Sequence, residues 1–256
     1  MKLVTWNING MNARHERVLQ WITEHRPDVL CLQELKQEDH KFPTEPYRAL
    51  GYEVATHGQK AWNGVAILSR APLEHVVRGF EDGVDDPQSR AIAATTFGVR
   101  VHNVYVPNGQ ALDSPKFVYK LDWLRRLEAH LAARIVREAP AVLCGDFNIV
   151  PTDEDVWDPA AWRGQVLCTD DERAALARLH ALGLEDVLRR LHPTGAIFTW
   201  WDYRMLAFPK GHGLRIDHVL ATPALAARVA SVEVERGARK GESPSDHAPV
   251  VATFSE

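Results

Sequence analysis

The sequence predicts an α/β protein in which two mixed β-sheets pack against each other and carry helices on their outer faces. Strand-length apolar runs outnumber amphipathic helical stretches, and several follow one another with no helix between them. That spacing disfavours a simple doubly wound sheet and favours two packed sheets. In addition, runs such as Val29-Leu30-Cys31-Leu32 are apolar on both faces and then end in polar residues, so side chains converge where the sheets stop. The 256 residues suffice for one large core, and no Gly/Ser/Pro linker divides them, so a single domain is expected over 1–256.

Each element has its own signal. Residues 2–7 form a short strand that stops at Asn7-Ile8-Asn9-Gly10, a turn sequence. Val18, Leu19 and Ile22 recur at helical spacing within 14–25. A buried strand follows Pro27 over 28–32 and delivers Gln33-Glu34 to its end. Further strands are expected at 52–56, 64–69, 91–97 and 99–106. After Ser114, a capping residue, and Pro115, suited to a first turn, Leu121, Leu124, Leu127, Leu131 and Ile135 form the apolar stripe of a helix that Pro140 stops. Residues 141–144 are a buried strand ending in Gly145-Asp146-Phe147-Asn148. Thr169 with Glu172 reads as a capping box for a helix to about Leu182. The last strands fall at 215–221, 229–234 and 249–254.

Composition narrows the function classes. At 45% hydrophobic and 25% charged residues the chain resembles an ordinary folded protein, not a disordered one. It holds no apolar run of eighteen residues, and its first residues are too polar for a signal peptide, so no membrane association and a cytoplasmic location are expected. Cys31, Cys144 and Cys168 are odd in number and lack metal-binding spacing, which fits a reducing compartment. A net charge of −4 argues against holding nucleic acid by bulk charge alone, yet allows a basic rim around an acidic, metal-loaded centre.

Five segments place chemistry at strand ends. Glu34 alone is as well explained by a turn cap, but one or two carboxylates with several waters is the usual protein share of a Mg²⁺ site. The strand period of two sets Asp146 and Asn148 on one face with Phe147 turned to the core. An acid that activates water and an amide that donates to phosphate suit an in-line attack, although an Asx turn uses the same residues. Ser245-Asp246-His247 lies between Pro244 and Pro249, and Asp217, within the strand of Arg215-Ile216-Asp217-His218, is the candidate to hold the second nitrogen of His247. Tyr105 and Asn108 end another strand as possible phosphate contacts. Phe198-Thr199-Trp200-Trp201 precedes Arg204, so stacking combined with phosphate contact is reasonable there. His57, His75, His130 and His192 have no such company.

Together, Trp6-Asn7-Ile8-Asn9-Gly10, Leu32-Gln33-Glu34, His57-Gly58-Gln59-Lys60, Gly145-Asp146-Phe147-Asn148, Gly213-Leu214-Arg215-Ile216-Asp217 and Ser245-Asp246-His247-Ala248-Pro249 closely resemble the exonuclease III family of AP endonucleases, within the DNase I-like phosphoesterases. The motifs run in the family's order from residue 2 to 254. The resemblance implies a four-layer α/β sandwich and a Mg²⁺-dependent DNA repair hydrolase, with Mn²⁺ able to substitute. Such an enzyme cuts 5′ to abasic sites in duplex DNA, leaves a 3′-hydroxyl, and processes damaged 3′ ends as a 3′-5′ exonuclease. It implies metal binding by Glu34 with Asn7 and Asp246, water activation by Asp146 and phosphate binding by Asn148. It pairs Asp217 with His247, brings Tyr105 and Asn108 to the scissile phosphate, and builds a pocket for a flipped abasic sugar from Trp200, Leu214 and Ile216; Arg204, from the loop reading above, is the expected DNA contact beside it. Extruding a sugar that has no base to unstack costs little, so a small apolar pocket selects it. A monomer acting on double-stranded DNA, nucleoid-associated when bound, is expected. Asn9 departs from relatives with aspartate there, which puts a second metal in doubt, and 157–168 carries no motif. The competing readings are a same-fold phosphoesterase acting mainly as an exonuclease or on RNA or lipid head groups, and a non-catalytic DNA-binding module.

Overall fold

The computed structural model describes residues 1–137 and 139–255. Its strands are β1 (Lys2–Asn7), β2 (Val29–Gln33), β3 (Glu53–His57), β4 (Val65–Ser69), β5 (Glu74–Arg78), β6 (Ala91–Thr96), β7 (Val99–Tyr105), β8 (Ala141–Asp146), β9 (Glu185–Asp186), β10 (Asp217–Ala221), β11 (Val229–Val234) and β12 (Val250–Phe254). They form two six-stranded sheets, ordered β11-β12-β1-β2-β4-β3 and β5-β6-β7-β8-β10-β9. Each sheet is mixed, because β1 runs parallel to β2 and β7 parallel to β8 within otherwise antiparallel neighbours.

Period-two alternation builds the layers. Leu3, Cys31 and Ile67 of the first sheet meet Val101, Val142 and Val219 of the second in the central core. Their neighbours Val4, Leu30 and Leu32 face outward onto Val18, Trp21 and Ile22 of α1 (Met11–His25), with Tyr47 of α2 (Thr44–Ala49) beside them. On the far side Leu143 and Leu220 lie under Trp123, Leu124 and Leu127 of α3 (Pro115–Ala132) and under Leu176 and Leu179 of a later helix, Asp170–Ala181. The result is the four-layer sandwich expected from the sequence.

The capping signals act as read. Ser114 Oγ accepts from the Lys116 amide at 3.2 Å, and Thr169 and Glu172 exchange both capping-box bonds. α3 nevertheless stops at Ala132, so Ile135 packs on the core from beyond the helix. Among the elements without a sequence signal are α2, β5, β9 and the short helices Pro159–Trp162, Val187–Leu191, Ala207–Lys210 and Pro223–Ala226. β5 is a largely exposed edge strand, so no apolar alternation marks it. No helix among the described residues is long and apolar enough to cross a membrane.

The topology decides where polar groups gather. Parallel pairing puts the C-terminal ends of β1 and β2 side by side, and likewise those of β7 and β8. β10 and β12 run antiparallel to β8 and β1, so they begin where those strands end, with Asp217 in register with Asp146. Two buried amides stitch the sheets just beneath this edge. Gln33 Nε2 donates to Asn103 Oδ1 (2.7 Å) and Thr5 Oγ1 (2.9 Å), while Asn103 Nδ2 donates to the Leu32 and Ala66 carbonyls at 2.9 and 2.8 Å. At Gly145 (φ +145°) a Cβ would lie 1.9 Å from the Val104 carbonyl oxygen, so only glycine lets β8 approach β7 here.

Candidate active site

Six strand ends open into one cleft of about 710 Å³, lined among others by Glu34, Tyr105, Asn108, Asp146, Asn148 and His247. Asp146 closes β8 and is almost wholly buried. Its Oδ1 accepts from the Asn148 backbone amide (2.9 Å) and its Oδ2 from Asn7 Nδ2 (2.9 Å). Burial, together with the nearby Asp217 and Glu34 charges, outweighs the His247 attraction and pushes the Asp146 pKa up to about 7.

His247 faces Asp146 through Nε2 at 3.7 Å and is held from behind by Asp217, whose oxygens lie 2.9 and 3.1 Å from Nδ1. Burial alone would lower its pKa, but the Asp217 and Asp146 carboxylates hold it up at about 10. Asp217 is fixed in turn: the Ile216 and Asp217 amides both donate to Thr199 Oγ1 at 3.1 Å. It stands at the start of β10, not in its interior as the sequence suggested. These three buried groups lie close enough together to hold an ion, yet the Nδ1–carboxylate bond marks Asp217 as a partner that fixes the imidazole and its charge.

Glu34 sits beyond β2 in a left-handed conformation (φ +55°) that re-aims it across the cleft. Its Oε1 accepts from Asn7 Nδ2 (2.9 Å) and the Tyr105 hydroxyl (2.8 Å), and Lys36 Nζ lies 2.8 Å from Oε2. Burial and the Glu34 and Asp146 charges raise the Tyr105 pKa well above its ordinary value, so the phenol stays a donor. Asn9 joins this acid to the next: its Oδ1 accepts from Lys36, and its Nδ2 donates to Asp246 Oδ1 (3.0 Å). Trp200 Nε1 holds the other Asp246 oxygen at 2.9 Å.

Asn7 stands between the acids: its nitrogen donates to the Glu34 and Asp146 carboxylates and its oxygen accepts from the Asn9 amide. Two expectations need correction. Leu214 is fully buried and sits under Trp200 rather than on the cleft surface, because it pairs with both Val156 and Trp200. Asn148 departs from strand geometry (φ +49°), so the Asx turn coexists with the site and directs its side chain toward Asn108, whose Nδ2 donates at 3.1 Å.

Trp200 and Ile216 do line the cleft, and Arg204 stands at its rim, paired with Asp202. Trp162, Val166 and Leu167 of 157–168 also line the cleft and belong to one apolar cluster with Ile216 and Trp200, which no motif announced. This segment is fastened at its start, where the Trp157 ring stacks on His212 at 3.7 Å and its amide donates to the Gly213 carbonyl. Behind Ile216, buried Arg215 bonds Asp155 and Asp186, each at 2.7 Å, and His218 Nδ1 at 3.1 Å. His218 Nε2 donates to Ile149, and burial with the Arg215 charge pushes the imidazole down to about 4.

Known proteins share this arrangement. Residues 4–247 match the Endonuclease/Exonuclease/phosphatase family. Exodeoxyribonuclease III from Haemophilus influenzae is 39% identical, over 99% of this chain and all of its own. Among solved structures, the 3′ phosphatase NExo from Neisseria bound to a product DNA hairpin aligns with TM-score 0.98 at 46% identity. An AP endonuclease from Archaeoglobus fulgidus aligns with TM-score 0.96 at 40% identity, and both alignments cover 100% of each chain.

Proposed function

Because the chain belongs to the endonuclease/exonuclease/phosphatase family, and within it to the exonuclease III type of AP endonuclease, we propose that it uses Mg²⁺ to hydrolyse the phosphodiester 5′ to abasic sites in duplex DNA, leaving a 3′-hydroxyl, and that the same centre trims 3′ ends. The chain is a hydrolytic nuclease. The observation that carries the finer reading is the opposed pair at the cleft floor: a carboxyl that titrates near neutrality beside an imidazole that stays charged.

Glu34 and Asp246 give the cleft hard oxygen donors and few of them, a set that fits Mg²⁺, which keeps most of its waters. They would hold the ion, which when bound neutralises phosphate charge. The chain's own residues do the rest. Asp146 accepts the proton of the attacking water, and its pKa suits a general base at neutral pH. His247, kept cationic by Asp217, donates to a phosphate oxygen as charge builds. Asn148 spends one side-chain hydrogen on the Val106 carbonyl and keeps the other for phosphate. Trp200 and Ile216 offer the extruded sugar an apolar face.

The likeness to the Neisseria 3′ phosphatase supports a second reading, in which 3′-end processing predominates and Trp162 and Leu167, which line the cleft with Ile216, take part in that preference. Product analysis decides between them. The first reading expects an abasic duplex to be cut 5′ to the lesion with a 3′-hydroxyl, and turnover to fall at least about 10³-fold in EDTA. Removal of 3′-phosphates or 3′ nucleotides with the abasic duplex left whole would establish the second. Cutting of RNA or bis-p-nitrophenyl phosphate in preference to DNA would overturn both.

A further inference from the structure

Lys120 lies in the middle of α3 with its side chain wholly buried. A buried ammonium is tolerated only when its charge and all three hydrogens are satisfied. Here Nζ donates to the backbone carbonyl of Asn148 (2.6 Å), to that of Asn108 (3.1 Å) and to Glu172 Oε1. The two carbonyls belong to the residues whose side-chain amides meet in the cleft. Glu172, equally buried, uses the same Oε1 to accept from the Leu167 amide (3.0 Å), and its Oε2 serves the Thr169 cap. The Val150 amide closes the circuit by donating to the Leu167 carbonyl at 2.8 Å. Three segments far apart in sequence, around 108, 148 and 167, are thus tied behind the cleft by one ion pair. Backbone packing does not replace it: Asn148 is left-handed, and beside Asn108 a Cβ on Gly109 would crowd Phe117 and Lys120.

We propose that Lys120, seated by Glu172, is a positioning residue for the reaction, aligning the Asn108 and Asn148 amides on the scissile phosphate and setting the distance to the Leu167 wall. Lys120 never touches substrate. Its effect passes through the amides, and a displacement of about 1 Å at such groups costs on the order of 10²-fold in rate. This inference rests on the proposed function for its assay, but not for its structural content.

The test uses the full chain with Lys120→Met, and with Lys120→Met/Glu172→Gln to avoid leaving a buried carboxylate unpaired. kcat is expected to drop about 10- to 100-fold with KM within about threefold. In an Asn108→Ala/Asn148→Ala background the same Lys120→Met change is expected to cost under about threefold, because both amides it positions are gone. Side-chain amide resonances of Asn108 and Asn148 are expected to shift or broaden in folded Lys120→Met protein. Unchanged kcat in a folded variant, or a loss that multiplies with the Asn108→Ala/Asn148→Ala loss, would overturn the positioning role. If the unaltered chain cleaves no abasic or 3′-blocked DNA, the proposed function falls, while the resonances still decide the clamp: unmoved amide signals would overturn it.

Discussion

Asp146 and His247 show how a few ångströms set the working range of the site. Asp146 acts as a base only when ionised, so kcat/KM is expected to rise as pH climbs through about 7. His247 helps only while protonated, so activity falls again as pH passes about 10. Replacing Asp217 by Asn removes the charge that sustains the imidazolium, and the alkaline limb of the profile should move to lower pH. An unmoved limb in that variant would separate His247 from the alkaline ionisation. Asp146→Asn keeps an acceptor for only one of its two donors, the Asn148 amide or Asn7 Nδ2, and takes away the proton acceptor. Steady-state assays on an abasic duplex or a 3′-phosphate end should show a loss on the order of 10²-fold or more in kcat. At this scale the sequence was informative where side chains act through their own chemistry, as with Glu34, Asp146 and His247. It was silent on Lys36, Thr199 and the orientation of Asn7, since which atom of an amide faces a carboxylate depends on neighbours from other strands.

Elements carry these groups, and their close approaches are stringent. Gly145→Ala would drive a methyl into the Val104 carbonyl and force β8 away from β7, moving Tyr105 and Asp146 together. A loss of about 2–4 kcal/mol in urea unfolding, with activity lost in the remaining folded protein, is expected. β10 makes a different demand through His218. Its folded pKa, about 4, lies below the unfolded value near 6.5, so the unfolded chain binds the extra proton. The neutral imidazole therefore supports the fold fully above pH 6.5, and that support fades as pH falls toward 4, by on the order of 3 kcal/mol. In His218→Gln, which can donate to Ile149 and accept from Arg215, unfolding midpoints at pH 7.5 and 5 should lie closer together than in the parent. Helices with a stripe and a cap, such as α3 and Asp170–Ala181, were legible because burial on one face leaves a period. β5 was not, as only Val76 of this short edge strand packs on the central core and leaves no alternation, and α3 stops at Ala132, well before Pro140.

Over the whole molecule, the two sheets share the central apolar core, and Gln33 and Asn103 bond them to each other directly below the cleft. Asn103→Ala would strand two buried carbonyls and the Gln33 amide, an expected cost of about 2–3 kcal/mol in unfolding free energy. Such residues hide in sequence: an amide inside an apolar run looks like an interruption until the second sheet is placed against it. The layered architecture was legible from strand-length runs ending in polar residues, whereas the wall over 157–168 was not, because its shape comes from contacts to residues such as His212. That fastening has a consequence. The hydrolytic groups are rooted in strand ends, while Trp162, Val166 and Leu167 reach the cleft from an excursion fastened at Trp157 and again at Leu167. Preference and catalysis are therefore joined at Leu167, and a transplanted excursion is expected to alter what is cut and still inherit a working engine only if it keeps both the Trp157 pin and the Leu167 bonds to Val150 and Glu172.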